Sequence, residues 1–167
     1  NYDNYLKLLH HNIDEHDKLI TALTINVSEF FRNPVVFHYL AERILPTLIH
    51  NKTTQKETTI RAWSAGCGRG EEPYSLAILL NQVIEKEETS ITPQIFATDI
   101  DRQSLKSADL AEFHPDSIKN IPYGLVKKYF LSREGSFLPG NHLRKSVHFS
   151  FHDLLDKRTM VPPESIF

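Results

Sequence analysis

The sequence predicts an α/β fold built on a parallel sheet, and three observations carry that expectation. An apolar stretch over residues 60–65 runs straight into a glycine-rich turn, Ser64 to Ser75, reading SAGCGRGEEPYS. Leu76, Ala77, Ile78, Leu79, Leu80, Val83 and Ile84 then mark a buried helix over 71 to about 84. A second apolar stretch, 94–98, ends on Asp99-Ile100-Asp101. Strand, turn, helix, strand is a βαβ unit, whose crossover makes the two strands parallel.

The remaining elements fall around that unit. Leu6, Leu9, Ile13, Leu19, Ile20 and Leu23 recur at helical spacing but are interrupted near 12–17, so two short helices are expected. A polar-aromatic connector, TINVSEFFRN, ends before Pro34, which suits the first turn of a helix. Val36, Phe37, Leu40, Ile44 and Leu48 give that helix one apolar face through about 49. Residues 51–59 lack any apolar side chain and read as a solvated loop, as does EKEETSITP further on. Glu71 and Glu72 suit the positive end of the helix after the glycine turn, and Pro73 its first turn. Asp99 or Asp101 caps a helix after the second strand. A short helix is expected over 125–130. FLSREGSFLPGNHLRKSVHF then reads as a small hairpin turning at Gly135 and Pro139-Gly140. A third strand, 147–151, ends on His152-Asp153.

Composition narrows the function classes. The 167 residues fit one domain with an appendage, and 40% hydrophobic residues supply a core. A formal charge of −2 and the absence of a basic cluster argue against nucleic acid. No apolar run reaches the roughly 20 residues that span a bilayer, and the N-terminus lacks the order of a signal peptide. The single cysteine, Cys67, allows no internal disulfide and agrees with a reducing, cytoplasmic setting. The chain opens without methionine within a helix and closes on VPPESIF, so it reads as a fragment.

The glycine turn carries the chemistry. A dinucleotide turn has glycine at its first, third and sixth positions; Gly66 and Gly68 fill two, but the sixth is Glu71 and another acid, Glu72, follows. Two like charges about 4 Å apart repel by roughly 4 kcal/mol at an effective dielectric of 20, so a pyrophosphate is disfavoured. A nucleoside carrying cationic groups and no phosphate suits the turn better. Gly66 and Gly68 let the backbone approach closely, carboxylates attract the cation, and Asp99 at the end of the second strand can accept from ribose hydroxyls. S-adenosylmethionine is such a molecule.

Four stretches, ALTINVSEFFRN, RAWSAGCGRGEEPYSLAILL, IFATDID and VHFSFHDLL, occur in this order in CheR-type chemotaxis methyltransferases, and the sequence resembles that family over nearly its whole length. The resemblance implies a class I, Rossmann-like S-adenosylmethionine methyltransferase sheet with an N-terminal helical segment and a small antiparallel β-subdomain. It places the end of an N-terminal helical domain and the connector at 1–33. A partial methyltransferase domain occupies 34–167, with the β-subdomain at about 129–148 and the C-terminal strands missing from this chain. The implied activity is methyl transfer from S-adenosylmethionine to glutamate side chains of the cytoplasmic domain of methyl-accepting chemoreceptors, tuning adaptation, with S-adenosylhomocysteine as product. Cofactor contacts fall on Asn26, Ser28, Arg32, Glu72, Asp99, Asp153 and Leu154, with Arg32 as the catalytic residue; Ser28 stands where the family has a threonine-like hydroxyl. In the family a fourth strand with a Cys-Arg-Asn turn and a downstream tyrosine follows, beyond Phe167 here. Some members dock a receptor-tail pentapeptide through a long glycine-spaced loop. Residues 132–141 hold only Gly135 and Gly140, so tether-independent action is expected.

Other features carry less. His10, His11 and His16 read as exposed helix histidines, and no metal site is expected. Cys67 reads as a small residue in a tight turn, and Trp63 and Tyr74 as core. Phe30 and Phe31 either wall an adenine or pack the connector. Two further readings stand beside the methyltransferase: a non-catalytic module that binds S-adenosylmethionine or S-adenosylhomocysteine, and a nicotinamide oxidoreductase, which Glu71 disfavours.

Overall fold

The computed structural model of the chain describes residues 2–23 and 28–156. The chain begins with two helices, α1 (Tyr2–His11) and α2 (Ile13–Leu23), broken at Asn12. The Asn12 side chain accepts from the Glu15 N–H at 3.2 Å and so caps α2. Neither helix buries a residue fully.

Pro34 opens the next helical run: α3 (Pro34–Tyr39), a π-helical turn (Leu40–Ile44) and α4 (Leu45–Thr54). The widened turn has a local cause. Pro46 lacks an N–H, and its ring would press on the carbonyl four residues back in a regular helix. Directly ahead of it the Leu45 N–H donates to the carbonyl of Leu40, five residues back. The helix also runs past the expected end near 49. Its last turn is polar and has no apolar signature, but the Thr53 and Thr54 hydroxyls donate back to the carbonyls of Ile49 and Asn51.

The predicted βαβ unit forms as β1 (Thr59–Ala65), α5 (Glu71–Lys86) and β2 (Thr92–Asp99). After it come α6 (Arg102–Leu110), α7 (Pro115–Ile118), α8 (Tyr123–Tyr129), β3 (Phe130–Arg133), β4 (Ser136–Pro139), α9 (Asn141–Ser146) and β5 (Val147–Phe151). The main sheet has the order β1-β2-β5 and is parallel throughout. Its register pairs Ala65 with Thr98 and Asp99 with Phe151, so all three carboxyl ends lie side by side. Buried Tyr74, Ala77, Ile78, Leu80 and Val83 pack α5 into the core with Ile60, Ile95 and Ala97 of the sheet. This is the α/β sheet the sequence predicts, with a separate two-stranded antiparallel sheet beside it.

That small sheet is shorter than the expected hairpin. β3 and β4 join through Glu134 and Gly135, both at positive φ (50° and 82°), the backbone of a two-residue hairpin turn. Residues 141–146 are helical rather than extended, and Val147 belongs to the main sheet. A single apolar anchor, fully buried Leu143, fixes α9, so no helical period is visible in its sequence.

Candidate functional site

The glycine turn lies at the carboxyl end of β1, where its backbone is left-handed at Gly66, Gly68 and Gly70 (φ 75°, 56° and 100°). Those angles need glycine, and at Gly70 a Cβ would also stand 3.3 Å from Ala108 and Phe149. At Gly66 the space where a Cβ would sit is open to 4 Å.

The turn's amides face inward. Gly66 and Cys67 donate to the Thr98 carbonyl at 2.8 and 2.9 Å, Gly68 to Asp99 Oδ2 at 2.8 Å, and Gly70 to the Cys67 carbonyl at 3.1 Å. A phosphate cradle needs such N–H groups pointed at the ligand. Here four are consumed inside the protein, an argument against phosphate that adds to the acids of the sequence.

Asp99 joins two segments of the site. It is 8% exposed, and besides Gly68 it accepts from the Asp101 N–H at 2.8 Å through Oδ1. Its carbonyl accepts from His152 at 3.0 Å, which sets Asp153 beside it. A carboxylate has about four lone-pair sites, so two amide bonds leave capacity for hydroxyl donors. Of the two candidate caps, Asp101 is the one used, accepting from the Gln103 N–H and the Ser104 hydroxyl, and Thr21 of α2 donates to it at 3.2 Å.

Glu72 and Glu71 separate in role. Glu72 is exposed, and its Oε1 accepts from the buried Ser64 hydroxyl at 2.6 Å. Glu71 is 4% exposed and turns away from solvent. Burial pushes its carboxyl above the usual range, opposed by bonds from its own N–H and from Ser28 and by the Arg69 charge. Below the ordinary value of 4.5 Glu71 is neutral in both folded and unfolded chains. As pH rises past it the unfolded chain ionises first, so stability falls until the folded form ionises too and stays lower above that. Glu71→Gln removes that slope. In urea melts from about pH 4 to 8 the variant should gain on the wild type as pH rises; a difference constant with pH would contradict this.

The connector docks onto the start of α5. Ser28 lies against Gly68, 3.5 Å from where a Cβ there would stand. The Phe31 N–H donates to Ser75 Oγ at 2.9 Å. Phe30 is fully buried, edge-on to Phe113 and Phe130 at 4.8 and 5.6 Å, so it packs the core; Phe31 meets Phe37 at 5.2 Å. Arg32 is exposed and stands between two left-handed residues, Phe31 (φ 53°) and Asn33 (φ 61°). Such backbone in a bulky residue is strained and persists where surroundings hold it. Arg32 lines a cleft of about 450 Å³ with Glu29, Phe31, Asn33, Phe37 and Asn120.

The structure therefore brings Ser28, Gly66, Gly68 and Asp99 together around the glycine turn, with Glu72 beginning α5 and Asp153 on the neighbouring strand end. Asp153 accepts from the Leu155 N–H at 2.9 Å, and Leu154 is 61% exposed. Asn26 lies outside the described residues. Sequence reasoning missed the burial of Glu71 and the Ser64–Glu72 bond, both of which need the tertiary approach of other segments. Cys67 is 1% exposed and burial raises its thiol to about 12, so it is a packing residue and not a thiolate. Tyr74 is core at 2%, whereas half-buried Trp63 donates to Thr98 Oγ1 at 2.9 Å. Among the described residues no group of three or more His, Cys, Asp or Glu converges on a metal position, and no helix is long and apolar enough to cross a membrane.

These features fit a nucleoside-binding α/β domain: a parallel sheet whose strand ends present an inward-turned glycine loop and an acidic rim. Residues 26–165 match the family described as CheR methyltransferase, SAM binding domain. The chain is 34% identical over 142 residues to a chemotaxis protein methyltransferase of Borreliella burgdorferi, covering 84% of this chain and 50% of that protein. It is 31% identical over 170 residues to a chemotaxis protein methyltransferase of Salmonella typhimurium, covering 96% and 54%. It is also 32% identical to an uncharacterized 104.1 kDa protein of Rhodobacter capsulatus, of which the match covers 16%. The chain belongs to the CheR methyltransferase family and spans about half the length of the curated chemotaxis methyltransferases it matches. Its cofactor is S-adenosylmethionine. The residues fit that group: the open space at Gly66 gives close backbone approach, the inward amides leave no phosphate cradle, and the carboxylates complement a sulfonium, an ammonium and a ribose diol.

Proposed function

We propose that the protein transfers a methyl group from S-adenosylmethionine to glutamate side chains in the cytoplasmic domain of methyl-accepting chemoreceptors, and thereby tunes adaptation in the cytoplasm. The observation that carries this reading is the glycine turn with its amides bonded inward and its rim acidic, in a chain of the CheR family. Gly66, Gly68, Ser28, Glu72, Asp99, Asp153 and Leu154 would hold the cofactor, and the family resemblance adds Asn26 to that set. Bound there, it supplies an electrophilic methyl group on a sulfonium.

This chain's residues do the positioning. A glutamate carboxylate is already ionised at neutral pH, so no general base is required. Arg32 orients the incoming carboxylate by a charge-assisted bond, and its cleft is the face from which the acceptor side chain arrives. Excluding water around the two opposite charges raises the effect of that positioning. The two-residue turn of the small hairpin supports action without a tethering pentapeptide.

Calorimetry on the full-length protein and a radiolabelled methyl-transfer assay on receptor test the reading. Glu72→Gln should weaken S-adenosylhomocysteine binding about tenfold, the scale of one charge-assisted bond, with the fold intact. Unchanged affinity would reduce Glu72 to a helix start. Binding without methyl transfer would point instead to a nucleoside-binding signalling module. In pull-downs, receptor with and without its terminal pentapeptide should be captured equally; tail-dependent capture would sink tether independence.

A further inference from the structure

Glu72 and Asp99 are the two carboxylates expected to serve the cofactor at the glycine turn, and the fold holds them unequally. Asp99 is buried and accepts from two main-chain N–H groups. Glu72, the second residue of α5, is exposed, and a long side chain of this kind loses much rotational freedom when it is ordered. The bond that orders it comes from Ser64. That residue is fully buried near the end of β1, and its hydroxyl donates to Glu72 Oε1 at 2.6 Å, within the short range of a hydroxyl–carboxylate bond. Ser64 stands on a strand whose register is fixed by β2, where it pairs with Ala97. The bond ties together the two ends of the turn, whose middle is pinned to Thr98 and Asp99 through Gly66, Cys67 and Gly68. Among the described residues no donor engages Glu72 Oε2, which is left for a ligand.

We propose that Ser64 is a positioning residue for the cofactor: anchored in the sheet, its buried hydroxyl presets the Glu72 carboxylate beside the glycine turn, so that binding does not have to order it. This role rests on the reading that Glu72 touches S-adenosylmethionine. A preset acceptor raises affinity because its freedom is lost on folding rather than on binding. The two partners differ in what their removal leaves behind. Glu72→Ala strands a buried hydroxyl without an acceptor, which lowers stability. Ser64→Ala leaves an exposed carboxylate, which water satisfies.

A double-variant cycle in the full-length protein, read by calorimetry with S-adenosylhomocysteine and by thermal melts, tests the role. Ser64→Ala should weaken binding about fivefold with the fold intact, and Glu72→Ala about tenfold or more. In the Glu72→Ala background, Ser64→Ala should cost no further affinity, and it should raise the melting temperature because the stranded hydroxyl is gone. Wild-type affinity in Ser64→Ala would overturn the positioning role. Equal losses from Ser64→Ala in both backgrounds would also overturn it, and would make Ser64 a packing residue whose removal loosens the whole site. Should Ser64→Ala fail to fold, Ser64→Cys, of similar size and only a weak donor, takes its place. A wild-type protein that fails to bind S-adenosylhomocysteine would overturn the functional reading and this role with it, while the melting temperatures would still report the bond.

Discussion

Asp99→Ala should abolish S-adenosylhomocysteine binding and destabilise the domain at the same time. The two effects have one origin. The Asp99 carboxylate fixes the glycine turn through Gly68 and the start of α6 through Asp101, both at 2.8 Å, in a setting only 8% exposed. Removing it strands two buried N–H groups. Each costs about 1–3 kcal/mol, so a loss of about 2–6 kcal/mol is expected, a large part of the 5–15 kcal/mol typical of a domain. The glycine turn then loses the bond that shapes it, and the acceptor proposed for the ribose hydroxyls disappears. Asp99→Asn retains one acceptor oxygen and should fall between. Thermal melts and calorimetry check this; an Asp99→Ala protein that melts and binds like the wild type would show that the carboxylate is incidental.

Arg32→Ala should slow methyl transfer while leaving the fold unchanged. Arg32 is exposed, lines its cleft and lies outside the hydrophobic core. A hydrogen bond to a charged group is worth about 1.5–3 kcal/mol, or roughly 10- to 150-fold in rate where it acts in the transition state. Single-turnover transfer to receptor by the full-length protein should fall within that range, with a smaller change in S-adenosylhomocysteine affinity. Arg32→Lys should recover only part of it, because a lysine cannot present the planar two-pronged donor that fits a carboxylate. Wild-type turnover in Arg32→Ala would return Arg32 to an ordinary surface ion pair.

What could be read from the sequence, and what could not, follows the reach of the signals. The strands of the main sheet and α5 were legible because their apolar residues are consecutive or densely periodic and punctuated by glycine and proline. Helix α9 was not, since Asn141–Ser146 is polar except for Leu143 and is held by packing between elements far apart in sequence. The last turn of α4 was hidden in the same way, its threonines holding it through hydroxyl bonds that leave no periodic trace. At the site, the residue types were legible and their partners were not. Two adjacent glutamates look alike in sequence, yet Glu71 is buried while Glu72 is exposed and accepts from Ser64 of the strand end. The inward direction of the turn's amides was equally invisible, although it argues against phosphate independently of the acids.

Calorimetric titration of the full-length protein with S-adenosylhomocysteine, and in parallel with NAD, tests the central claim most directly. An acidic strand-end site with no free phosphate cradle should give saturable heat with S-adenosylhomocysteine, lost in Asp99→Ala, and none with NAD. Binding of NAD, or no binding of S-adenosylhomocysteine by the wild type, would contradict it.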